Sequence, residues 1–346
     1  YVPPHEWDLD FPHLMLQAKA VRFKNEGASF RDKTLTDTDR VGSLAGIPVV
    51  SGLVNALNRN STFRGILEDG LGVHKDAKLP AYHSQTLRHR VKRDSGEGAE
   101  PAGPTTGKVV LFATCYGNRN DPKSGEDLVA VYRHNGIPVT ISEQEKCCGM
   151  PKLDLGDLEA VARSKEINIP ALAKLVDQGW DIVAPVPSCV LMFKQELPLM
   201  YPDDPQVAKV RDAIYDPFEY LMLRHRYGKL NTDFKNPLGS VSYHAACHQR
   251  VQRIGPKTRE MLELVPGTEI DVIERCSGHD GTYAVKKETH ELSMKIARPV
   301  IKKVKDKAPD HYSSDCAMAG HQIANGLDDG SEPEHPITLL RIAYGI

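Results

Sequence analysis

"EKCCGM", residues 145–150, returns as "ERCSGH" at residues 274–279, and that return decides how the whole chain is read. The segments around each copy repeat in the same order. "VVLFATCYGN" (109–118) is matched by "VSYHAACHQR" (241–250). A Pro-Lys pair then opens a helical stretch in each half, Pro122-Lys123 and Pro256-Lys257, a favoured first-turn use of proline. "KEINIPALAKLVDQGWDIV" (165–183) returns as "MKIARPVIKKVKDKAPDHY" (294–312), with Pro170 against Pro299, and "PSC" (187–189) faces "SDC" (314–316). The spacings agree: Cys115 lies 33 residues before Cys148 and Cys247 lies 30 before Ser277, while Gly149 precedes Cys189 by 40 and Gly278 precedes Cys316 by 38. One unit has been duplicated in tandem.

Within each unit, apolar β-rich runs alternate with helical patterns. The runs are 109–114, 137–141, 181–186, 241–246, 270–273 and 311–314, the last of them polar. Alternation of this kind predicts an α/β fold: two tandem units with mostly parallel sheets and helices over their faces. Residues 93–107, "RDSGEGAEPAGPTTG", are rich in Gly, Pro, Ser and Glu and read as an exposed linker. The expected organisation is a largely helical N-terminal extension over 1–92, the linker 93–107, a first unit over 108–236 and a second over 237–346. An amphipathic helix is expected near Leu9–Lys24. All seven cysteines lie beyond the linker, at 115, 147, 148, 189, 247, 276 and 316.

The composition, 40% hydrophobic and 26% charged, is ordinary for a soluble protein. A formal net charge of -2 supplies no basic excess for neutralising phosphates, which argues against a nucleic-acid partner. No apolar run approaches the roughly 20 residues of a membrane-spanning helix. The chain opens "YVPPHEW", without methionine and without a signal-peptide pattern, and is expected to continue a longer chain, trimmed or processed; a cytoplasmic location is expected. No GxGxxG or P-loop pattern is present.

The cysteines carry the chemistry. Each apolar run is followed by a cysteine within about six residues. In open α/β sheets the carboxyl ends of the strands share one edge, where ligands bind, so thiols far apart in sequence converge. Cys115, Cys147, Cys148 and Cys189 are therefore expected to hold one metal centre. Thiolates suit iron–sulfur clusters and zinc alike. Zinc knuckles usually come as CxxC pairs, and none is present, so the adjacent pair leans toward a cluster. Gly149 permits the positive φ that lets the kink aim both sulfurs. In the second unit Ser277 replaces the second cysteine of the pair, leaving Cys247, Cys276 and Cys316. His248 and His279 adjoin these and are further candidate ligands; His321 is a weaker one. An open or histidine-ligated position there would suit chemistry, whereas four thiolates suit electron transfer.

A cysteine, then CCG, then a further cysteine, given twice, resembles the cysteine-rich CCG-domain Fe–S oxidoreductases. That family includes the CCG-bearing subunits of heterodisulfide reductase and of anaerobic glycerol-3-phosphate dehydrogenase. "PSCVLMFKQELP", "ERCSGHDGTYAVKKE" and "SDCAMAGHQI" carry the likeness, which covers about residues 1–325. It implies an oxidoreductase subunit with no assigned catalytic residue, relaying electrons between a partner dehydrogenase or rubrerythrin-like protein and a quinone or disulfide acceptor. It implies a [4Fe–4S] cluster in the first unit, an Fe–S or zinc site in the second, and other subunits of a redox complex as partners. It also implies a ferredoxin-like domain ahead of "YVPPHEWDLDFPHLML". The fullest family pattern ends each repeat in CxxC, and here those positions are Met192 and Ala319. Two rivals stand beside this reading: a zinc-stabilised scaffold and a thiol–disulfide oxidoreductase using the vicinal pair. His5, His13, His74, His83 and His89 show no site-like spacing. "TLRHRVKRD" (86–94) is a basic stretch that could meet anionic lipid or an acidic partner, which allows peripheral association with the inner face of the cell membrane.

Overall fold

The computed structural model describes residues 10–143 and 145–346; His5 and the opening "YVPPHEWDL" lie outside them. Two parallel sheets form the framework. The first contains β1 (Val109–Leu111), β2 (Val139–Ile141), β3 (Asp181–Val183) and β4 (Ile214–Tyr215), in the order β2-β1-β3-β4. The second contains β5 (Gly239–His244), β6 (Thr268–Ile273) and β7 (His311–Ser314), in the order β6-β5-β7. Every ladder is parallel, with Val109 opposite both Val139 and Asp181 and Val241 opposite both Ile270 and His311. The six anticipated runs are all strands. β4 was not anticipated, because two residues carry no readable alternation.

β1 ends earlier than its apolar run. Thr114 takes φ +61°, outside the strand region, and the Glu145 carboxylate accepts the N–H groups of Ala113 (3.1 Å) and Thr114 (2.7 Å). The ladder stops where the chain turns toward Cys115. Pro170 and Pro299 both sit inside long helices, Leu158–Asp177 and His290–Lys307, so the repeat holds in three dimensions.

The core crosses between the units. Leu111, Leu128, Val131 and Tyr132 of the first share one apolar cluster with Val241, Tyr243, Ile337 and Leu340 of the second. The C-terminal helix Pro336–Tyr344 lies along Pro122–His134. Buried Asp127 fastens it, accepting from Thr338 Oγ1 at 2.6 Å and Arg341 Nη1 at 2.5 Å. On the other face of the first sheet, Val110 and Phe112 pack with Ile169, Phe193 and three of the cysteines.

Residues 93–107 run as a strap along the first unit rather than hanging free. Ala102 and Thr105 are buried, the Thr106 N–H donates to Asp181 (2.7 Å), and Arg224 Nη1 donates to the Glu100 carbonyl (2.9 Å). The basic stretch before it is not a free cationic patch. Arg88 is ion-paired with Glu145, Arg90 with Glu126 at 3.0 Å, and Arg93 with Glu143 at 2.6 Å.

The region before residue 92 is a layer of short helices, among them Phe11–Glu26, Phe30–Thr36, Thr38–Ala45, Val50–Arg59 and Ser61–Leu71. The first departs from the amphipathic expectation: it gathers no apolar face, and none of its residues is buried. Polar contacts, His13 to Glu196 at 3.0 Å and Lys19 to Asp154, hold it, together with half-buried Leu16, which packs against the first unit's core. The layer also reaches the second unit, where Arg31 grips Glu288 through two bonds (2.8 and 2.5 Å) and His74 stacks on His290 at 4.1 Å. Among the described residues no single helix is long and apolar enough to cross a membrane; only Thr38–Ala45 with Val50–Arg59, bent by 104°, reaches that length together.

Candidate metal centres

Each cysteine position follows a strand end, as the topology requires. Cys115 opens the helix Cys115–Arg119 after β1, Cys147 and Cys148 form the turn after β2, and Cys189 sits in Pro187–Leu191 after β3. That last helix runs directly into a π-helical turn, Met192–Glu196, an irregularity common at functional sites. Gly149 takes φ +102° and begins the next helix, Met150–Leu155.

The four thiols are strung in contact. Cys115 Sγ lies 3.8 Å from Cys147 Sγ, Cys147 adjoins Cys148, and Cys148 adjoins Cys189. Cys147, Cys148 and Cys189 are buried, and Cys115 is half-buried. The bond from Cys115, then that from Cys148, pulls Cys147 well below the ordinary thiol range despite burial. Its negative sulfur in turn drives its neighbours the other way. The Cys147 contact, reinforced by burial, pushes Cys115 well up, and the contacts to Cys147 and Cys189 do the same to Cys148. Only one of these sulfurs carries charge comfortably by itself. Ionising all four in a water-poor pocket requires a compensating cation, so the donor set fits a thiolate-bound metal centre. A tetrahedral zinc with Zn–S near 2.3 Å separates its sulfurs by about 3.8 Å, so the Cys115–Cys147 spacing alone does not choose between zinc and a cluster.

Several supports around these thiols carry no signature in the sequence. Asn168 clamps the paired-cysteine turn, accepting from the Lys146 N–H at 2.8 Å and donating to the Cys147 carbonyl at 3.3 Å. Asp39, from the N-terminal layer, accepts the Cys147 N–H at 2.8 Å. Glu145 joins β1 to the same turn. Burial lifts its carboxyl to about 7 against the pull of Arg88. A glutamate just before the paired cysteines, facing an arginine 57 residues upstream, was visible only as an unremarkable charge.

The second unit is arranged differently. Cys247 and Cys276 adjoin each other: the Cys247 contact draws Cys276 down to about 6 and pushes Cys247 up. Cys276 is exposed, and its Sγ accepts the Gly278 N–H at 3.4 Å. Cys316 shares the electrostatic neighbourhood of Cys189 and Tyr116. Ser277 is buried. His248 bonds Ser188 Oγ at 2.7 Å, while His279 neighbours His248 and His321. Burial lowers His279 to about 4, and its Nε2 has no hydrogen-bond partner. Among the described residues no three His, Cys, Asp or Glu side chains are already placed to hold a metal ion. The first unit thus brings together a four-sulfur chain, and the second a thiol pair.

A cleft of about 1130 Å³ lies between the helical layer and both cysteine edges. Val41, Leu44, Val54 and Leu71 line one side; Tyr116 and His279 stand on the other.

A family model described as a cysteine-rich domain matches the chain twice, over residues 109–194 and 241–324. One component of the anaerobic glycerol-3-phosphate dehydrogenase of Escherichia coli, named as a subunit of that enzyme, is 27% identical over 328 residues, 94% of this chain and 80% of the relative. Lactate utilization protein A of Bacillus cytotoxicus is 29% identical over 52% of this chain and 75% of its own length. Lactate utilization protein A 1 of Bacillus cereus is 31% identical over 52% and 75%. With two strand-exit cysteine sets on two parallel sheets and two matches to the same model, the chain belongs to the cysteine-rich CCG-domain family.

Proposed function

We propose that this chain is an iron–sulfur electron-transfer subunit of a dehydrogenase complex, working in the cytoplasm at the inner face of the cell membrane. The observation that carries the reading is the four-sulfur chain of Cys115, Cys147, Cys148 and Cys189 at one sheet edge. These four would hold a [4Fe–4S] cluster, which when bound supplies reversible one-electron storage. Cys247, Cys276 and Cys316 would serve a second Fe–S or zinc site, with His248 and His279 within the same unit.

The chain's own residues do the rest. Phe112, Met192 and Phe193 exclude water from one side of the first set. Asn168, Asp39 and Glu145 hold the turn and the strand exit in place. Electrons would enter from a partner dehydrogenase or a rubrerythrin-like protein and leave to a quinone or disulfide. Val41, Leu44, Val54 and Leu71 on one wall of the cleft suit the apolar body of a quinone, while Lys75, Lys78 and Lys123 on its rim could meet an anionic disulfide. Leu44, Ile47, Val49 and Leu53, all exposed on one helix–turn–helix tip, support peripheral contact with a membrane. Being named as part of a dehydrogenase, the Escherichia coli relative supports partners of that kind.

The test is Cys148→Ser in anaerobically purified protein. Loss of the first centre's iron and of its visible absorption is expected; full retention of both would refute the assignment.

One observation favours a second reading. Cys276 is exposed and drawn to about 6 by Cys247, the character of a reactive thiol. A thiol–disulfide role for the Cys247–Cys276 pair would show as a reversible disulfide between them under a mild oxidant, with the first centre intact.

A further inference from the structure

We propose that the first turn of the helix Thr38–Ala45, from the N-terminal layer, sets the reduction potential of the first metal centre through Thr38 and Asp39, which act on it in opposite directions. The inference rests on the metal reading of Cys115, Cys147, Cys148 and Cys189.

The placement is specific. Asp39 Oδ2 accepts the Cys147 N–H at 2.8 Å, so this turn is bonded to the paired-cysteine loop itself. Thr38 Oγ1 is shielded from water and has no hydrogen-bond partner. Its near neighbours are the thiols of Cys115 and Cys147. A buried hydroxyl without an acceptor is costly, and an anionic sulfur beside it supplies one. Thr36, Asp37, Thr38 and Asp39 border the same small cleft as Lys146 and Cys147.

The helix is held in that position from both ends. Asp37 caps it, accepting the Arg40 N–H at 3.4 Å, and Lys152 Nζ donates to Thr36 Oγ1 at 3.2 Å just ahead of it. Further along, Gly42 leaves room for Arg119 to lie across the helix, where Nη2 reaches Ser43 Oγ at 3.2 Å. Arg119 belongs to the helix that Cys115 opens, so helix and thiols cannot shift independently.

Physical consequence follows from charge. A donor aimed at a cluster's sulfurs stabilises the reduced, more negative state and raises the potential. A fixed carboxylate close by does the reverse. Asp39 would thus lower the potential that Thr38 raises, and the N-terminal layer would tune a centre whose ligands all lie beyond residue 107.

The experiment follows the redox signal that Cys148→Ser abolishes, by anaerobic potentiometric titration of the full chain, with iron and sulfide measured on every sample. Thr38→Val is expected to shift its midpoint downward, Thr38→Ser to stay near wild type, and Asp39→Asn, which keeps an oxygen for the Cys147 N–H, to shift it upward. Iron and sulfide are expected to stay constant throughout. Equal potentials at unchanged iron would overturn the inference and leave the metal reading standing. Iron lost from Thr38→Val but kept in Thr38→Ser would make Thr38 a structural support and overturn it also. Absence of iron from wild type would overturn both.

Discussion

Gly278→Ala has a cost whose size follows from the local geometry, with Gly149→Ala as its internal control. Both glycines follow the cysteine turn of their repeat and both hold positive φ, +74° and +102°. An alanine pays roughly 1–3 kcal/mol for such a backbone at either site. The surroundings then separate the two. At Gly149 a new Cβ would meet only Met192 Cε at 3.4 Å and Val161, ordinary contacts. At Gly278 it would fall 2.1 Å from the Ser293 carbonyl oxygen and 3.0 Å from its carbon, backbone atoms inside the helix His290–Lys307. That helix cannot yield by side-chain rotation, and Ser293 Oγ also donates to the Gly278 carbonyl at 2.8 Å. Forced overpacking of this kind costs about 1–3 kcal/mol more. Gly278→Ala should therefore lose about 2–6 kcal/mol in urea unfolding, exceeding the loss in Gly149→Ala by about 1–3 kcal/mol. Equal losses, or a milder effect at Gly278, would refute the close approach of turn and helix.

Asp127→Ala should cost about 2–3 kcal/mol, because the side chain is buried and its loss strands Thr338 and Arg341; the C-terminal helix should become protease-sensitive before the rest unfolds, and wild-type resistance there would contradict the cross-unit clasp. His311 is raised by its bond to Glu334 (2.5 Å), against the opposing effect of burial. A raised histidine stabilises fully below the free value of about 6.5 and loses that contribution as pH rises through the folded value. The melting-temperature advantage of wild type over His311→Gln should accordingly shrink from pH 6 to pH 8.5, and an advantage that grew over that range would be inconsistent with the pair. Ser277→Cys should alter the second site's metal content or spectrum while leaving the first centre's signal unchanged; an unchanged second site would count against its being short of a thiolate.

The duplication was legible because it was written twice: the paired segments kept their order and spacing, and six of seven strands fell on the apolar runs. The cysteines were legible because strand exits share an edge in a parallel sheet, whatever their separation in sequence. What lay hidden depends on contacts between distant segments. Nothing local marks Asp39 or Asn168 as partners of the Cys147 backbone, nor Glu145 as the carboxylate that ends β1. The ion pairs of the basic stretch 86–94 were hidden for the same reason, since its acidic partners lie 36 to 57 residues further along. The helix Phe11–Glu26 was visible as a helix, but its apolar residues do not gather on one face. Its attachment through Lys19 and His13 could not be read from periodicity.

Metal, iron and acid-labile sulfide analysis of the anaerobically purified chain, run together on wild type and Cys148→Ser, tests the central claim most directly. A brown wild-type protein with iron and sulfide in equal amounts, about four of each for the first centre, and loss of that share in Cys148→Ser, is the expected result. A colourless protein holding stoichiometric zinc and no sulfide would contradict it.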